Sequence, residues 1–153
     1  MVGTIRMTAA DFAFARYEHA QLRAQLDDIR AAADTVGRLS PLEAARAVSR
    51  VRAWLATTLG PHAAWENLVV YPAIERGTAT TAATNVMRSE HRQIEHMGFV
   101  LEADADLLRA GPVTHDLVCD IRAHLLGLQS ILCTHMERED EFLRPEIDSP
   151  DQR

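Results

Sequence analysis

His135-Met136-Glu137-Arg138-Glu139 ends a run in which Val118, Ile121, Leu125, Leu128 and Leu132 recur at helical spacing. That spacing puts them on one face of a long helix, and it carries the His135 imidazole and the Glu139 carboxylate onto the same apolar stripe. The pattern occurs again earlier, as His62-Ala63-Ala64-Trp65-Glu66, and in both copies a proline follows ten residues after the histidine, Pro72 and Pro145. The other half recurs too: Glu18-His19 lies 43 residues before His62, and Glu90-His91 lies 44 before His135. His19 to His91 is 72 residues and His62 to His135 is 73. A repeat that runs through ligand-type residues marks a site.

The surrounding sequence reads as four helices. Thr8 is a candidate cap for the first, with Phe12, Ala15, His19, Leu22, Leu26 and Ile29 on one face and Gly37 at its end. Ser40-Pro41-Leu42-Glu43 is the clearest start signal: a serine cap, a proline at the first helical position and a glutamate to close the capping box. The second helix runs through Val48, Val51, Leu55 and His62 towards Pro72. Gly60-Pro61 predicts a kink just before His62. Such a bend either follows the core or aims His62 and Glu66. Residues 76–84 are small and polar and read as a loop. A third helix from about Thr84 to Ala110 places Met87, His91, Ile94, Glu95, Gly98, Leu101 and Leu108 inward. Gly111-Pro112 separates it from the fourth, roughly Val113 to Leu143. With no strand signal and short connections, the expected fold is all-α, an antiparallel up-down-up-down four-helix bundle over residues 8–146, with a polar tail at 147–153.

At 153 residues and 17.0 kDa the chain is long enough for one well-buried core. Its net charge of -6 argues against a nucleic-acid partner, which needs a basic face. No apolar stretch approaches the roughly 20 residues that span a bilayer, so no membrane partner is expected. Cys119 and Cys133 lie 14 residues apart on one predicted helix, about 21 Å, too far for a disulfide. Two unpaired thiols and no signal peptide in Met1 to Thr8 point to the cytosol.

The chemistry rests on His19, His62, Glu66, His91, Glu95, His135 and Glu139. Residues four apart on a helix stack about 6 Å from each other, so three pairs each present an imidazole and a carboxylate to one point. Left unpaired and charged in an apolar core these groups are very costly, and a multivalent cation removes that cost. One such pair alone is usually a surface contact; three copies on inner faces are not. Nitrogen and oxygen donors without thiolate suit iron, manganese or zinc, and seven ligands exceed one tetrahedral ion. The Glu-x-x-His spacing of ferritin-like bundles and the His-Glu-x-x-His hydrolase motif are both absent.

With His19, His62-x-x-x-Glu66, Glu90-His91, His135-x-x-x-Glu139 and Tyr71-Pro72, residues 12–146 resemble the haemerythrin-like (HHE cation-binding) proteins. The resemblance implies a four-helix bundle around two iron ions with oxo or hydroxo and carboxylate bridges, manganese or zinc being the lesser alternatives. It assigns Glu66 and Glu139 as bridging carboxylates and His19, His62, His91 and His135 as terminal ligands. One departure stands out. The oxygen-carrying haemerythrins have a further histidine four residues after the third-helix histidine, where this chain has Glu95. His96 is five residues on, about 140° around the helix, and points away unless a π-bulge intervenes. Glu95 is therefore expected as the ligand and His96 as outward-facing. An anionic ligand favours the ferric state, and so oxidation by oxygen or peroxide over reversible carriage. The expected partner is a small diatomic molecule or peroxide, bound by a monomer or homodimer. A binding module, a peroxide-decomposing oxidoreductase and an iron-homeostasis or sensing protein remain the three function classes. His124 reads as a partly buried structural histidine, Trp65 as packing beside Glu66, and Tyr17 as facing away from His19.

Overall fold

Buried side chains recur at steps of three and four residues along every helix, largely in alternation except where 41–78 takes two fours in a row, and that seam organises the chain. The protein is described by a computed structural model covering residues 9–78 and 80–142. Thr8, Pro145, the tail and the side chain of Phe12 lie outside what it describes. Four helices follow one another. We label them α1 (9–35, two segments, Ala9–Ala24 and Leu26–Thr35), α2 (41–78), α3 (Ala82–Ala110) and α4 (His115–Phe142). No strand occurs among the described residues.

The helix boundaries have local causes. Ser40 and Glu43 form the predicted capping box: the Ser40 N–H donates to Glu43 Oε2 at 3.0 Å while Ser40 Oγ accepts from the Glu43 N–H. Gly37 sits where α1 turns; a Cβ there would lie 2.9 Å from Val118 Cγ1, so only glycine lets the turn approach α4 this closely. Thr114 caps α4, its Oγ1 accepting from the Leu117 N–H at 3.2 Å. The loop between α2 and α3 is shorter than the sequence suggested, since α2 persists to Thr78 and α3 begins at Ala82.

Gly60-Pro61 does not interrupt α2. The helix runs through it by way of a π turn, Leu55–Leu59, in which the Gly60 N–H reaches back five residues to Leu55 O. A second π turn, Glu66–Val70, stands in the same relation to Tyr71-Pro72, with the Tyr71 N–H donating to Glu66 O. Each extra residue widens the turn just ahead of a proline, whose missing donor and ring would otherwise strain the preceding one.

One continuous core of Leu22, Ile29, Val48, Leu101, Leu125 and Leu128, among others, fills the space between the helices. A smaller cluster of Ala15, Val70, Tyr71 and Met87 closes the end beyond the histidines. By length and composition His115–Glu141 is apolar enough to cross a membrane, contrary to the sequence reading; here its Ile121, Leu125, Leu128 and Leu132 face are buried against the other helices. Several polar contacts between helices join a residue near the start of one helix to a residue near the end of another. Ser49 meets Arg109, Asp104 meets His124, and Asp34 meets Arg122.

Candidate metal centre

The seam carries polar groups at one level of the core. Along α4 the buried residues include Ile121, Leu125, Leu128, Leu132, His135 and Glu139; along α2 they include Leu55, Leu59, His62, Glu66 and Val70. His19 of α1 and His91 of α3 complete the level. Glu66 and Glu139 are 0% exposed, and no histidine of the four exceeds 9%. Six of the seven residues expected from the sequence are therefore brought together.

Their inner nitrogens converge on the two carboxylates. Glu66 Oε1 lies 2.6 Å from His62 Nε2 and 3.1 Å from His19 Nε2, while its Oε2 lies 3.2 Å from His91 Nε2. Glu139 Oε2 lies 3.3 Å from His19 Nε2 and 3.4 Å from His135 Nε2. His91 Nε2 and His135 Nε2 approach to 3.0 Å. Two overlapping groups result, His19–His62–Glu66 and Glu66–His91–His135, each with donor atoms within 4.8 Å of one another, and each able to hold a metal ion. Glu66 belongs to both.

The outer nitrogens are held by a second ring of residues that the sequence reading did not assign. His62 Nδ1 donates to Glu18 Oε2 at 2.9 Å, and His135 Nδ1 donates to Glu90 Oε2 at 3.0 Å. His19 Nδ1 donates to Asp140 Oδ1 at 2.8 Å, and His91 Nδ1 to Asn67 Oδ1 at 3.3 Å. Arg23 and Arg138 in turn hold Asp140 and Glu90. With every Nδ1 held from outside, each ring turns its Nε2 inward, the orientation in which a deprotonated imidazole binds metal. The signal for this ring was in the repeat. Glu18 and Glu90 precede His19 and His91; Asn67 and Asp140 follow Glu66 and Glu139. One exchange breaks the symmetry: a neutral amide, Asn67, stands where the other half has a carboxylate.

Without a cation the centre is poorly satisfied. Glu66 Oε2 and both Glu139 oxygens are buried with no hydrogen-bond partner; the nearby imidazole nitrogens are close but misaligned. Orphaned carboxylate oxygens set among inward ring nitrogens are costly in a core and are what a cation-binding donor set looks like. Burial pulls the His19 pKa down, but the carboxylates of Glu139, Glu66 and Asp140 close around it outweigh that and lift it to about 10. His62 and His135 are raised for the same reason, their burial being overcome by Glu66 and Glu139 respectively. Burial pushes the two carboxyls up, yet the imidazoles hold both below the usual carboxylate range.

Glu95 departs from expectation. It is exposed and lies outside the cluster, as does His96. The reason is the phase of the seam. His62 and His135 follow a three-residue step (from Leu59 and from Leu132), so the next seam position is four residues on and is a glutamate. His91 follows a four-residue step from Met87, so its next seam position is Ile94, and Glu95 falls beside the seam. His19 shares that phase, and the residue four on, Arg23, is likewise off the seam. Nor does a π turn bring His96 inward, because α3 is unbroken α-helix.

The π turns are in α2 instead, and one of them supplies a residue the sequence did not reveal. Tyr71 is five residues past Glu66, on the far side of a regular helix, but the turn at Glu66–Val70 brings it round to the same face. It is 1% exposed, and its hydroxyl lies 3.3 Å from His91 Nε2. Burial, then the charges of Glu139 and Glu66, push its pKa far above the ordinary phenol value, so it stays protonated. His124 is half-buried on Asp104, 2.8 Å away; Trp65 packs on His62 and edge-on against Phe14; Tyr17 is exposed.

No curated protein and no solved structure matches the chain. The family model of the Hemerythrin HHE cation binding domain matches residues 12–147. Nearly the whole sequence, including all four converging histidines and both buried glutamates, falls within that match, and the chain belongs to the hemerythrin HHE cation-binding domain family.

Proposed function

We propose that this protein holds two iron ions and that dioxygen, peroxide or nitric oxide binds or reacts there. The observation that carries the reading is the trio of orphaned carboxylate oxygens on Glu66 and Glu139, set among four inward Nε2 atoms. On this reading His19 and His62 hold one ion, His91 and His135 the other, and Glu66 and Glu139 bridge them. Bound iron supplies the electrons for the reaction and the charge that draws the small molecule in. The antiparallel up-down-up-down order of the helices is part of the same reading, supported by cross-helix pairs such as Ser49–Arg109 and Asp34–Arg122.

The chain's own residues then have separable roles. Glu18, Glu90, Asp140 and Asn67 fix the imidazoles and make them better donors, the three carboxylates more strongly than the amide. The two halves differ around His91, where Asn67 replaces a carboxylate and the Tyr71 hydroxyl stands beside Nε2. We therefore assign the His91–His135 side as the reacting side. A phenol kept protonated there can donate to an anion developing on the bound molecule. The apolar seam residues above and below exclude water.

Metal analysis with the optical spectrum of freshly purified protein tests this. Two irons per chain and near-ultraviolet absorption from an oxo-bridged ferric pair are expected; a zinc-only protein, or one ion per chain, overturns it. Sustained peroxide consumption with the metal retained identifies an oxidoreductase, a reversible adduct without turnover a binding module. The iron-homeostasis alternative instead requires folding or degradation to follow iron supply.

A further inference from the structure

Between α2 and α3 lies a groove of about 600 Å³, within the range of small-molecule sites and roughly twenty times the ~30 Å³ that one water occupies. A diatomic molecule or hydrogen peroxide does not need such a space. Its floor is apolar, with Leu55, Leu59 and Ile94 buried beneath it, and its inner end reaches Asn67 and His91.

Three features say what fits. Gly98 lines the groove in the middle of α3, where glycine destabilises a helix by about 1 kcal/mol relative to alanine. Nothing near it demands glycine: a Cβ there would meet only Leu55 Cδ1, at 3.8 Å. The absent side chain leaves space open to a ligand. Three arginines, Arg52, Arg88 and Arg92, stand at the mouth with Glu95. Arg52 is paired to Glu102, and Arg88 is committed to Glu75 and lies over the Tyr71 ring. Arg92 is exposed and has no ion pair among the described residues.

We propose that this groove binds an amphipathic organic carboxylate, its head on Arg92 and its single hydrocarbon chain on the Leu55–Leu59–Ile94 floor beside Gly98. Its place against Asn67, which holds His91 Nδ1, couples the ligand to the metal centre. The coupling, though not the binding, rests on the proposed function.

The probe is decanoate, titrated calorimetrically into the full chain as purified and after chelation. Saturable one-to-one binding is expected in both, at least ~10-fold tighter than decyltrimethylammonium, a preference worth about 1.4 kcal/mol. Gly98→Leu, which fills the groove with a better helix former, and Arg92→Glu should each weaken binding ~10-fold or more, with the circular dichroism unchanged. No saturable binding, equal affinity for the cationic probe, or full affinity in a folded Gly98→Leu chain overturns the site. In protein loaded with cobalt(II), decanoate should also shift the visible spectrum; a bound ligand that leaves the spectrum unmoved overturns the coupling. If cobalt(II) does not bind at all, the metal reading fails while the titration of chelated protein still decides the groove.

Discussion

Removing the metal should reverse the pH dependence of stability. In metal-free protein the buried imidazoles find their partners by protonation, and His19 is lifted from 6.5 to about 10. A group whose folded pKa is raised gives stability that is fully present below its unfolded pKa and is lost as pH climbs through the folded value. The window for His19 is therefore pH 6.5 to about 10. One proton held only by the folded state gives a slope of about 1.4 kcal/mol per pH unit, so between pH 6.5 and 8.5 metal-free protein should lose on the order of 3 kcal/mol. For a chain of this length that is roughly 6–12 °C in Tm. His62 and His135 act in the same direction, but they share Glu66 and Glu139 with His19, so their contributions do not simply add. With metal bound the sign changes, since imidazole must be deprotonated to ligate and affinity grows as pH rises. Metal at about a thousand times its Kd adds roughly 4 kcal/mol. The assay is thermal unfolding from pH 5.5 to 9.5, with chelator or with zinc. A metal-free Tm that is flat or rises between pH 6.5 and 8.5 would refute the ion-paired cluster described here.

Substitutions separate the ring of second partners from its neighbours. Glu90→Gln leaves His135 Nδ1 with a neutral acceptor and should weaken metal binding by about 10–100-fold in competition with a chelator, whereas Glu95→Gln should change it by less than about 2-fold. Tyr71→Phe should leave metal content unchanged and slow the reaction of iron-loaded protein with peroxide by about 100-fold, read by stopped flow; an unchanged rate removes the phenol from the chemistry. Ser40→Ala dissolves the capping box at the start of α2 and should lower stability by about 1 kcal/mol, seen as a fall of roughly 2–4 °C in Tm with metal content intact.

The relation between sequence and site turns on helical phase. Hydrophobic recurrence gave four helices and most of their buried faces, because burial of an apolar stripe decides where a helix lies. It also placed six of seven ligand-type residues, since an imidazole or carboxylate interpolated into such a stripe has nowhere else to point. Glu95 shows what spacing alone omits. An i to i+4 pair stays on a three-four seam only when its first member follows a three-residue step, as His62 and His135 do and His91 does not. Counting steps from Met87 to His91 to Ile94 would have put Glu95 beside the seam without any coordinates. Tyr71 is a different case, because its position depends on an extra residue in the turn before it. Gly60-Pro61 read as a kink and Pro72 as the approach to the helix's end; in the fold each proline is absorbed by a π turn, and the second rotates a phenol into the cluster. The same dependence explains the asymmetry of the centre. The two halves of the chain share histidines, buried carboxylates and most of the acids that hold the imidazoles, so a strict repeat would build two equal donor sets. The π turn and Asn67 both alter the surroundings of His91, one adding a proton donor and the other withdrawing a negative charge. Two independent departures fall on one imidazole, and on the proposed reading they make that side of the cluster the one to react and the other the one to hold.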